Sequence, residues 1–257
     1  MFPLKDNIPT DRFPLVTMVL ILANVLMYLF FQEAIQSSFL NSPDDLNVVD
    51  YGAIPYEITH PGEGCRVPAA EGPLDCGGAT AGQPPTWLTA LSSMFMHGSL
   101  LHLGGNMLFL WIFGNNVEDS MGKVKFVLFY VLGGLAAIAA QVVVDPNAAI
   151  PTVGASGAVA GVLGGYLLLF PRARVLTAFF LVIVFFLREL PAILFLGIWF
   201  LQQALFGYFD LTSPRDGGGG VAYFAHIGGF AFGLLAIKLF ADERRRRRQY
   251  DAAPRRR

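Results

Sequence analysis

Six long uncharged apolar runs constrain this chain more than any other feature: Phe13 to Phe31, Trp87 to Val117, Phe126 to Val144, Asn147 to Phe170, Leu190 to Phe209 and Gly217 to Ile237. Each is near or above the ~20 residues that a helix needs to cross the hydrocarbon core of a bilayer. Backbone polar groups in lipid must be satisfied within the protein, and a helix does this segment by segment. The chain of 257 residues is 54% hydrophobic and only 14% charged, which excludes an ordinary soluble domain. The first run is long enough to span and no small-residue cleavage site follows it, so it reads as a membrane helix and not as a cleaved signal. The expected fold is an all-α polytopic membrane protein, a bundle of six transmembrane helices.

A seventh apolar run, "VLTAFFLVIVFFL" at 175–187, has 13 residues. As a helix it would reach only about 20 Å, against a hydrocarbon core of about 30 Å. Charge decides between six crossings and seven. With six, only Arg66 and Arg215 of the 18 lysines and arginines fall on the side opposite the N-terminus. The positive-inside tendency then puts both termini in the cytoplasm and 175–187 at the inner surface, as a short interfacial or re-entrant segment before the fifth helix. The net charge of -1 hides this asymmetry. The organisation that follows is a cytoplasmic N-terminus at 1–12, a membrane domain at 13–240 that includes an outer loop at 33–86, and a basic cytoplasmic tail at 241–257. The tail's "RRRRR" is expected to hold orientation and touch anionic headgroups of the lipid bilayer, with no nucleic acid as partner.

The outer loop holds both cysteines, Cys65 and Cys76, and an exported loop is where a disulfide can persist. Its single histidine, His60, gives too few ligands for a zinc site, so no metal is expected. Connections elsewhere are short and the spans must pack closely. Gly157 with Gly161, and Gly229 with Gly233, supply small surfaces at four-residue spacing where helices can approach.

Function must come from the few polar residues that lipid penalises. The second run reads "SSMFMHGSLLHLGGNMLFLWIFG", with His97, His102 and Asn106. The fourth carries Ser156 in "PTVGASGAVAG", and the sixth carries His226 in "VAYFAHIGGFAFG". His102 and Asn106 are four apart and share a helical face, whereas His97 lies off it. Runs two, four and six all cross from outside to inside, and each carries its polar residue early, so these groups can meet at one depth near the outer side. Ser and His together offer nucleophilic chemistry: a neutral imidazole takes the proton of a hydroxyl as it attacks a carbonyl. Ser156 is the candidate nucleophile and His226 the candidate general base. Asn106, His102 and the Ser156 backbone N–H are candidate donors to an oxyanion. No acidic residue lies within the six runs to orient the base, so a Ser-His dyad is expected. His97 reads as a mouth or interface residue, Glu118 as a structural inner-loop residue that caps or pairs with Lys123 or Lys125, and Arg188 with Glu189 as a local headgroup-level contact.

"HGSLLHLGGN", "VEDSMG", "GASG" and "AHIGGFAFG", in that order, resemble the rhomboid intramembrane serine proteases. The resemblance covers roughly residues 85–240 together with the first span. It implies a six-helix rhomboid fold with Ser156 as nucleophile, His226 as base, and His102 and Asn106 lining the oxyanion site. It also implies single-pass transmembrane proteins as substrates, no cofactor, and a mobile fifth helix and outer cap as gate; the expected location is the cell membrane. Some members place an aromatic residue four positions after the nucleophile, against the histidine; here that position is Ala160, which leaves His226 to be held by other packing. Two other classes compete: a rhomboid-like protein that binds membrane clients without cutting them, and an electron carrier whose haem is held by His102 and His226.

Overall fold

The N-terminal residues, expected to be a plain cytoplasmic extension, begin as a strand. In the computed structural model, which describes residues 1–32, 45–68, 74–79, 82–181, 184–212 and 221–253, β1 (Phe2–Asp6) precedes α1 (Leu15–Leu26), which continues as a π turn over Met27–Phe31. The described part of the outer loop contains α2 (Asp45–Tyr51), α3 (Pro55–Thr59) and an antiparallel hairpin of β2 (Glu63–Arg66) with β3 (Asp75–Ala79). Cys65 and Cys76 oppose each other in that hairpin and are joined by a disulfide. The rest of the loop lies outside the described residues, as do Arg215, the first residues of the sixth run and Arg255 to Arg257.

The second apolar run is not one helix. It is broken into α4 (Thr86–Ser92) with a 3-10 turn at Ser93–Phe95, then α5 (Leu100–Phe109), a π turn at Leu110–Gly114 and α6 (Asn115–Met121). The break is built locally: Ser99 is extended and its hydroxyl accepts the His102 backbone N–H at 3.1 Å, an N-cap that starts α5 afresh. α7 (Lys123–Val144) follows, and then α8 (Ser156–Leu169), which begins well inside the fourth apolar run; the residues before Ser156 form a loop.

The run at 175–187 corrects the all-α expectation. It forms a hairpin of β4 (Arg174–Leu181) and β5 (Val184–Pro191), and β1 pairs antiparallel with β4 to give a sheet in the order β1-β4-β5. Its Val, Thr and Phe residues favour extended backbone, and the ladder with β1 satisfies peptide groups that a short helix would satisfy internally. Glu189, expected to make a local headgroup-level contact with Arg188, also pairs with Arg174 across this hairpin at 3.2 Å. α9 (Ala192–Thr212), α10 (Tyr223–Phe240) and α11 (Glu243–Ala252) complete the chain. Among the described residues α7, α9 and α10 are long and apolar enough to cross a membrane, while α8 and α1 with its π turn are shorter apolar helices.

The described part of the basic tail is largely helical. Asp242 caps α11 by accepting the Arg244 N–H at 2.8 Å, Gln249 is buried, and the Tyr250 ring lies 5.8 Å from that of Phe170. Glu118 has the structural role expected of it, with a different partner: its carboxylate accepts from the backbone N–H groups of Val16 and Thr17, at 3.1 and 2.8 Å, and from the Thr17 hydroxyl at 2.8 Å. It thereby caps α1 from α6, where a negative charge also meets the positive end of the helix dipole.

α8 is buried along most of its length, packed between α7 and α10. The glycine spacing explains how. A Cβ at Gly229 or Gly233 would overlap the carbonyl oxygens of Gly157 and Gly161, so α8 and α10 approach backbone to backbone.

Candidate active site

The loop that delivers Ser156 is tied at three points. Thr152 and Ala53 exchange backbone hydrogen bonds of 2.8 and 3.3 Å, Gly154 N–H donates to the Ser93 carbonyl at 2.9 Å, and Ala155 N–H points at His97 Nε2 from 3.5 Å. Gly154 has φ of +126°, and a Cβ there would lie 2.8 Å from the His102 ring. Both the backbone conformation and the closeness of His102 therefore require glycine. Ser156 is the first residue of α8, where peptide N–H groups lack intrahelical partners and the dipole is positive.

His226 occupies the first turn of α10. Its Nε2 is 2.8 Å from Ser156 Oγ, and its Nδ1 is 2.8 Å from Oε1 of Gln203 on α9. Gln203 is buried. One turn earlier on α9, the Trp199 ring lies 6.0 Å from the imidazole at an angle of 38°. This is the packing that Ala160 leaves to another residue: the aromatic comes from α9 instead of α8.

His102 and Asn106 project from α5 into the same cavity, of about 570 Å³, that Ser156 and His226 line. Asn106 is buried, and its Nδ2 has no hydrogen-bond partner among the described residues. His97 packs edge-on against His102 with ring centroids 5.1 Å apart, and its backbone is held by Gln32 on both sides, through N–H donation to Oε1 at 2.9 Å and acceptance from Nε2 at 3.1 Å. His97 thus supports the site from behind, a closer involvement than its position off the His102 face suggests.

All four candidate residues come together, each of the helical ones within the first two turns of its helix. They do not lie a uniform distance down three long helices, because α5, α8 and α10 start later than the apolar runs. Gln203 and Trp199 were not anticipated. The signal was present, since "IWFLQQ" puts polar amides inside an apolar run and Trp199 and Gln203 are four apart on one helical face.

A family model described as the Rhomboid domain matches residues 84–243, more than half of the chain. The chain belongs to the rhomboid family. It is 30% identical over 174 residues to "Rhomboid protein 1, mitochondrial" of Saccharomyces cerevisiae, an alignment that covers 65% of this chain and 46% of that protein. To "Rhomboid protease GluP" of Bacillus subtilis it is 37% identical over 81 residues, covering 32% of this chain and 15% of the relative. To "RHOMBOID-like protein 4" of Arabidopsis thaliana it is 33% identical over 146 residues, covering 56% and 32%. The chain thus matches less than half of the length of each of these relatives. In this rhomboid the matched segment runs from just before α4 through α10, and it contains Ser156, His226, His102, Asn106, Gln203 and Trp199. α1, the disulfide hairpin and β1 lie outside it.

Proposed function

We propose that this rhomboid is an intramembrane serine endopeptidase that cuts single-pass membrane proteins in or near their transmembrane helix. The observation that carries the reading is the 2.8 Å contact between Ser156 Oγ and His226 Nε2, made at the wall of a cavity large enough to admit an extended peptide segment. In the proposed reaction, His226 Nε2 takes the Ser156 proton as Oγ attacks the scissile carbonyl. The oxyanion that forms accepts hydrogen bonds from the Ser156 backbone N–H, from a His102 N–H and from Asn106 Nδ2, whose protons have no partner among the described residues. Collapse returns the proton from His226 to the leaving amine. Water then enters the cavity, loses a proton to His226 and releases the acyl group from Ser156, restoring the pair.

The accompanying topology is six crossings of the cell membrane with both termini cytoplasmic and the cavity open toward the outer side. The distribution of arginine and lysine supports it. Retention of both Ser156 and His226, in contact, favours cutting over passive binding of clients. The test is cleavage of a panel of transmembrane substrates by the detergent-solubilised chain, beside Ser156→Ala. The alanine variant is expected to lose at least about 10³-fold in rate. Undiminished cleavage by Ser156→Ala would remove Ser156 from the reaction.

A further inference from the structure

We infer that Gln203 is the positioning residue for His226: its side-chain carbonyl accepts the Nδ1–H of the imidazole, and this keeps Nε2 unprotonated toward Ser156. The inference rests on the nucleophile–base reading above, and goes beyond it by replacing the expected dyad with a Ser156–His226–Gln203 relay of contacts.

A neutral imidazole carries one N–H, and the hydrogen bond made by the other nitrogen determines where it sits. Were the proton on Nε2, it would point at Ser156 Oγ, and His226 could accept nothing from the hydroxyl. Nδ1 lies 2.8 Å from an amide oxygen, which can only accept, so the proton belongs on Nδ1 and the Nε2 lone pair faces Oγ, also 2.8 Å away. No acidic side chain hydrogen-bonds to His226 among the described residues. An amide meets the requirement without placing a carboxylate in a membrane helix, where an unpaired charge is strongly disfavoured. It also supplies a dipole whose negative end faces the imidazolium formed when the Ser156 proton is transferred. Trp199, one turn away on the same helix, packs beside the ring, with centroids 6.0 Å apart. α9 therefore fixes both the tautomer and the orientation of a base carried by α10.

The experiment uses the full chain in detergent, labelled with ¹⁵N at its 4 histidines, with His226 assigned by the signals lost in His226→Gln. The expected spectrum of unmodified protein above neutral pH shows His226 protonated at Nδ1 and bare at Nε2. In Gln203→Met, similar in size but without an acceptor oxygen, the proton is expected to move toward Nε2, and a fluorophosphonate probe should label Ser156 about 10²-fold more slowly. Gln203→Glu restores an acceptor at the same reach and should recover at least tenfold of that loss. An Nε2–H tautomer in the unmodified protein overturns the inference whether or not Gln203→Met folds. Labelling of folded Gln203→Met within about threefold of the unmodified rate overturns it too, as does an equal loss in folded Gln203→Glu. A wild-type chain that fails to label at Ser156 counts against the serine-protease reading, and the tautomer spectrum still decides the role of Gln203.

Discussion

Ser156 depends on residues that carry no reactive group of their own. Gly154, two positions before it, holds a positive φ and leaves room for the His102 ring. Gly154→Ala is expected to lower stability by about 1–3 kcal/mol and to slow cleavage further by pushing His102 out of line, which thermal unfolding and cleavage rate measured on one preparation will separate. Asn106 presents the opposite case. Its unpartnered Nδ2 is a burden to folding, so Asn106→Ala should leave the melting temperature unchanged or higher while the rate falls about 10²- to 10³-fold. The four candidate residues were legible because Ser, His and Asn are conspicuous in apolar runs. The amides of "IWFLQQ" are as conspicuous, but only the fold shows that Gln203 meets His226, and a tryptophan in a membrane helix is indistinguishable by type from one that faces lipid.

Between helices, the glycine spacing was readable and its consequence specific. Because a Cβ at Gly233 would overlap the Gly161 carbonyl, Gly233→Leu should force α8 and α10 apart and prevent recovery of a monodisperse folded protein, read by size-exclusion chromatography and circular dichroism. The small β elements were less legible. A continuous apolar run has no periodicity with which to tell strand from helix, and the partner of β4 is β1, more than a hundred residues away in sequence. Hydropathy is equally blind to the break at Met96–Ser99, because the Ser99 cap that restarts α5 changes direction without changing polarity. In the outer loop, Cys65 and Cys76 close a loop with a sequence separation of 11, so reduction or Cys76→Ser should cost about 2–3 kcal/mol in the unfolding free energy of that lobe, measured with and without reductant.

Across the whole molecule, one buried carboxyl joins the ends of the chain to the helix of the nucleophile. Asp6 on β1 accepts from the Tyr166 hydroxyl on α8 and from Asn116 Nδ2 on α6 at 2.7 Å, while Gln249 on α11 donates to the Asn116 carbonyl at 3.4 Å. Burial pushes the Asp6 carboxyl up from 3.8 to about 7, although its hydrogen bonds from Tyr166 and the backbone and the nearby Lys5 act in the other direction. The folded chain therefore holds this proton more tightly than the unfolded chain, and stability falls as pH rises from about 4 to about 7, then levels. Asp6→Asn should flatten this dependence and narrow the gap between pH 5 and pH 8 by at most about 2.6 kcal/mol, in thermal melts of the two proteins side by side. The central claim concerns the other end of α8, where Ser156 and His226 are a working nucleophile and base. Mass-spectrometric mapping of the fluorophosphonate adduct on the intact chain tests it most directly. An adduct on Ser156 that disappears in His226→Ala is the predicted result; an adduct on a different serine, or one on Ser156 that forms equally fast without His226, would contradict it.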